Sequence, residues 1–127
     1  MTISLPTHVT AGLFGMTKLN AADPLPEVIQ NASPCFVART ADELSIIASL
    51  EIIESIGKSV GRFRLISVAM TFGTTETGIL SSLVVPLADA GIWILSLGTH
   101  DTDYILLRDD QFDAAIAALK DAGHQIT

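Results

Sequence analysis

The chain has 127 residues, 49% of them hydrophobic and 17% charged, with a formal net charge of −7. That is ample apolar material for a packed interior and unlike a disordered composition. The acidic balance excludes the basic face that nucleic acid requires, and no apolar run approaches the ~18 residues of a membrane span. A single cysteine, Cys35, excludes an intrachain disulfide. The histidines His8, His100 and His124 lack ligand-type spacing, so no metal or cofactor is expected. The opening MTISLPTHVT has no basic residue leading an apolar block, and a cytoplasmic location is the expectation.

In chain order, His8 to Leu19 reads as a long strand interrupted by Gly12 and Gly15. Asn20 to Ser33, with Pro24 and Pro26, reads as a loop holding one helical turn near Glu27. Pro34–Arg39 and Glu43–Leu50 form a hairpin joined by Thr40–Asp42. Leu50 to Gly61 reads equally as helix or connection. Arg62 to Met70, RFRLISVAM, is strand, and TFGTTETG is a loop. Ile79 to Ala90 is a helix, with Leu80, Leu83, Val84 and Leu87 forming one apolar stripe. Thr77 is its expected N-cap and Gly91 its stop. Pro86 falls inside this helix and removes one backbone bond. Ile92–Leu97 and Tyr104–Arg108 are strands. Asp110 to Ala122 is a helix, capped by Asp109 or Asp110 and ended by Gly123, and His124–Ile126 is a short last strand.

The second half therefore runs β-α-β-β-α-β, the ferredoxin-like α+β unit. Its crossovers place both helices on one face of an antiparallel sheet. The first half reads as a degenerate copy of the same plan with a stunted first helix. The expected units are residues 1–60 and 61–127, in two abutting sheets.

No enzyme is expected. There is no G-x-S-x-G, and GMTKL and GKS lack phosphate-loop spacing. A binding site is a better fit. The N–H groups at Thr77, Gly78 and Ile79, at the start of a helix, suit a carboxylate. In GTHDTDYILL, Asp101 reads as a turn residue. Asp103 reads either as a turn residue or as the partner of a ligand ammonium. Together, the two subsites would recognise a small amino acid.

The stretch from Gly78 to Ile126, with the pieces TGIL, PLADAGI and TDYILL, resembles the C-terminal ACT domain of small bacterial tandem ACT-domain proteins. DELSII in the first half fits the same family. Such units are similar to those of eukaryotic cytosolic arginine sensors and of aspartate kinase regulatory domains. The resemblance implies ligand binding where two ACT-like units meet. It implies roles for Asp103 and Thr99, and a facing strand at Leu44, Ser45 and Ile46. In GTHDTD, Gly98 stands where the family commonly has serine. In AMTFGTTETG the family's Asp and Phe are replaced around Thr74 to Glu76. The expectation is a non-catalytic amino-acid sensor that forms a homodimer and regulates a partner. A protein-interaction module with a decayed pocket is the alternative.

Overall fold

The computed structural model describes residues 3–71 and 77–127. The chain divides into two compact units, one formed by Met1–Ala11 with Arg64–Thr127 and the other by Gly12–Phe63. Strand β1 (Pro6–Leu19) contributes its first half to the former and its second half to the latter.

In the first of these units, β4 (Phe63–Val68), α2 (Ile79–Asp89), β5 (Ile94–Gly98), β6 (Asp103–Arg108), α3 (Phe112–Asp121) and β7 (Gln125–Ile126) follow the expected β-α-β-β-α-β order. Leu83 and Leu87 of α2 share a core with Ala115 and Leu119 of α3. Ile66 and Val68 of β4, and Ile105 and Leu107 of β6, complete it. Successive strand residues face opposite sides, so these alternate positions define one sheet face, and both helices pack on it. Burying each Leu or Ile there contributes about 1.5–3 kcal/mol.

One feature of the sheet departs from the simple ferredoxin-like order. That order would set the last strand beside β4. Instead the first half of β1 pairs with both β4 and β7, and the sheet continues through β6 to the edge strand β5. β7 runs parallel to β1, with Pro6 opposite Gln125 and Thr7 opposite Ile126. The chain end is fixed by bonds from Gln125 N to Leu5 O, Thr127 N to Thr7 O and Val9 N to Thr127 O. A two-residue strand needs such a long neighbour, and pairing between opposite chain ends leaves no local sequence pattern.

α2 continues past Pro86. The proline has no N–H for the Ser82 carbonyl four residues earlier. That carbonyl lies 2.7 Å from Nε2 of the buried His124. Leu5 N–H donates to His124 Nδ1 at 3.1 Å, which places the ring proton on Nε2.

At the start of α3, neither Asp109 nor Asp110 makes a capping bond. Arg108 binds Asp110 through both carboxylate oxygens. Arg64 lies 3.9 Å from Asp109 and stacks over Phe112, 4.0 Å from the ring centre. The acids expected to cap the helix pair with arginines instead.

The Gly12–Phe63 unit has β3 (Leu44–Ser49) at its centre. It is antiparallel to the second half of β1 on one side and to β2 (Phe36–Arg39) on the other. The β2–β3 turn is closed by Thr40 Oγ1, which accepts from Asp42 N and Glu43 N. The ambiguous Leu50 segment is a short helix, α1 (Leu50–Ile56), whose Ile53 joins Ile29, Leu44, Ile46 and Ala48 in the core.

Candidate functional site: a cleft at the start of α2

β6 delivers Asp103 by strand alternation. Asp103 shares a face with Ile105 and Leu107, which lie in the helix-covered core, and it ends that row. Its neighbour across the β5–β6 pair is Gly98. A Cβ built on Gly98 would lie 3.8 Å from Asp103 Oδ1, so the glycine leaves the space over that oxygen clear of side chain. Among the described residues, no hydrogen bond or ion pair engages the half-buried Asp103 carboxylate.

The turn that leads to Asp103 has its own support. Thr99 N–H and Thr99 Oγ1 both donate to the Thr102 carbonyl, and Thr102 N–H donates to Thr99 Oγ1. Thr102 Oγ1 donates to the Val68 carbonyl at 3.0 Å, tying the turn to the end of β4. Asp101 sits at the exposed tip, 2.7 Å from His100 Nδ1. Asp101 and Asp103 thus have separate environments. Thr99 shapes the turn through its hydroxyl.

Asp103 lines a cleft of about 460 Å³ together with Gly78, Ile79, Leu80, Ser81 and Val84. Gly78 is the N-cap of α2 at φ 78°, a left-handed conformation that favours glycine, and no side chain caps the helix. Thr77, expected in that role, lies one residue earlier and is exposed. The first intrahelical bond at this end runs from Ser82 N to Gly78 O. The N–H groups of the preceding turn have no helical partner, as at any helix start. Ser81 Oγ donates to the Gly78 carbonyl at 3.1 Å.

The cleft therefore has one carboxylate, a set of outward backbone donors and an aliphatic wall. A carboxylate on a ligand suits the donors and the positive end of the helix dipole, and an ammonium suits Asp103.

The structure brings together Asp103, Gly78 and Ile79 from the sequence reading. Leu80 and Val84 were legible as a helical stripe and also line the cleft; Ser81 carried no signal of its own. Leu44, Ser45 and Ile46 belong to β3 of the Gly12–Phe63 unit. There β3 pairs on both edges, which engages its backbone groups, and the Leu44 and Ile46 side chains are in the core. The replaced residues Thr74 to Glu76 lie outside the described residues. Among the described residues, no group of three or more His, Cys, Asp or Glu could hold a metal ion. No helix among them is long and apolar enough to cross a membrane.

A βαββαβ order with both helices packed on one sheet face defines an α+β domain of the ferredoxin-like type. The chain belongs to the ACT domain family: the family model matches residues 58–121, just over half of the sequence. The match spans β4 through the end of α3. A solved protein from Agobacterium tumefaciens is 27% identical at a TM-score of 0.90, covering 99% of this chain and 94% of that one. A Vibrio cholerae protein, described as of unknown function and a possible transport protein, is 20% identical at a TM-score of 0.76. It covers 91% of this chain and 87% of its own, and that likeness concerns the fold alone. No curated protein matches.

Proposed function

We propose that this ACT-domain protein is a non-catalytic regulatory protein that binds a small amino acid in the cleft at the start of α2. Asp103 pairs with the ligand ammonium, the free N–H groups of the first turn of α2 bind its carboxylate, and Ile79, Leu80 and Val84 contact its side chain. The observation that carries this reading is that an unengaged carboxylate and an uncapped helix start line one cleft. The cleft has the size of a small-molecule site. Gly12–Phe63, with three strands and the short α1, is read as a second, degenerate ACT-like unit.

The protein is proposed to act as a homodimer. β5 supports this: it is an edge strand of mostly apolar sequence, ILSLG, next to the exposed Trp93. The same exposed edge favours a second reading, a protein-interaction module that binds no small ligand.

A panel of free amino acids tested by thermal unfolding separates the two. At ~100 times its dissociation constant, a ligand stabilises the folded protein by about 2.7 kcal/mol. A rise in Tm for one class of amino acid supports the sensor, and no rise for any of them supports the interaction module.

A further inference from the structure

A second cleft, of about 450 Å³, lies within the Gly12–Phe63 unit where α1 ends. Its lining includes Leu50, Glu54, Lys58, Ser59 and Arg62. The chain has only seven Lys and Arg against fourteen Asp and Glu. Two of those seven cations line this one cleft. Among the described residues, neither Lys58 nor Arg62 has a salt-bridge partner, whereas Arg64 and Arg108 do.

The segment that carries the two cations is held in place at several points. Thr17 Oγ1 donates to the Lys58 carbonyl at 3.0 Å, Met16 N donates to Ser59 Oγ at 3.2 Å, and Val60 N donates to the Met16 carbonyl at 2.9 Å. Ser59 Oγ donates to the Gly61 carbonyl and accepts from Gly61 N, closing a tight turn between the two cations. The approach to β1 is close. A Cβ on Gly57 would stand 2.7 Å from Thr17 Oγ1, and one on Gly15 would stand 2.8 Å from Ser59 Oγ. The glycines of GMTKL and GKS, which do not form a phosphate loop, serve this contact. Lys58, Ser59 and Val60 are tied to β1, so little backbone entropy is lost there when a ligand bridges the cations.

We propose that this cleft is a second binding site, for a small carboxylate carrying a hydroxyl group on the adjacent carbon. Lys58 and Arg62 bind the carboxylate, Glu54 accepts from the adjacent donor, and Leu50 contacts the carbon skeleton. Two cations against one Glu54 carboxylate leave a single net positive charge, which matches a monoanion. The site is independent of Asp103.

The test is a titration of the full chain with glycolate, followed by amide NMR shifts. Glycolate has no ammonium for Asp103, which separates this site from the α2 cleft. The proposal expects saturable shifts at Gly57 to Arg62, unchanged by Asp103→Asn. The double variant Lys58→Gln/Arg62→Gln should weaken binding about tenfold or more, as for loss of charge-assisted bonds. Lys18→Gln/Lys120→Gln removes the same charge elsewhere and should leave the titration unchanged. No saturable shift at these amides, or an equal loss in the two double variants, overturns the proposal.

Discussion

The His124 Nε2–H donates to the Ser82 carbonyl, the acceptor that Pro86 leaves without its helical N–H. A residue near the chain end thus completes the hydrogen bonding of α2, the helix that lines the candidate site. Its other nitrogen accepts from Leu5 N–H, and the ring is buried. The histidine accounts for how α2 tolerates an internal proline.

His124→Phe removes both bonds and leaves the buried Leu5 N–H and the part-buried Ser82 carbonyl without partners. The expected loss is about 2–6 kcal/mol, summing ~1–3 for each group, read from urea unfolding. Pro86→Ala gives Ser82 its helical donor back. In that background the same substitution should cost about 1 kcal/mol less, the non-additive term of a double-mutant cycle. Additive costs would separate His124 from Pro86.

Gly78→Ala forces a Cβ into a left-handed conformation at the N-cap of α2. The nearest atom it would meet is Ile3 Cδ1 at 3.5 Å, an ordinary contact, so the cost comes from the backbone alone. It should be about 1–2 kcal/mol, measured by thermal or urea unfolding. A neutral result would mean that the turn relaxes away from this φ.

Leu83→Ala empties a side chain that is 1% exposed in the core shared by α2, α3, β4 and β6. A loss of about 2–5 kcal/mol is expected. Val85→Ala, on the exposed side of the same helix, should stay within about 0.5 kcal/mol. Unfolding curves of the two variants compare the faces directly.

The homodimer predicts a light-scattering mass of two chains that falls to one on dilution. A single-chain mass at every concentration would leave β5 an open edge.

Local patterns carried much of this fold. The stripe Leu80, Leu83, Val84 and Leu87 placed α2. The hairpin around Thr40 was legible from its polar turn between apolar runs. The pairing of β1 with β7 was not, because the residues concerned are more than a hundred positions apart. The helix caps were misplaced for a related reason. Asp109 and Asp110 looked like caps, but Arg64 and Arg108 compete for them, and Arg64 comes from another strand. Pro86 signalled a lost bond, and nothing near it in sequence indicated that His124 would fill the gap. At the site, β6 begins at Asp103, one residue before the strand expected at Tyr104, and this sets Asp103 on the face of Ile105 and Leu107. That Gly98 leaves its oxygen clear follows only from the β5–β6 register.

Asp103 provides the most direct test of the central claim. Titration calorimetry would compare wild type, Asp101→Asn and Asp103→Asn, using the amino acid that raises Tm most. Asp103→Asn should weaken binding by about 1.5–3 kcal/mol, the range for a hydrogen bond to a charged group, with its unfolding midpoint unchanged. Asp101→Asn, at the turn tip beside His100, should bind like wild type. Equal affinities for wild type and Asp103→Asn would contradict the account and leave the acidic stretch as a turn.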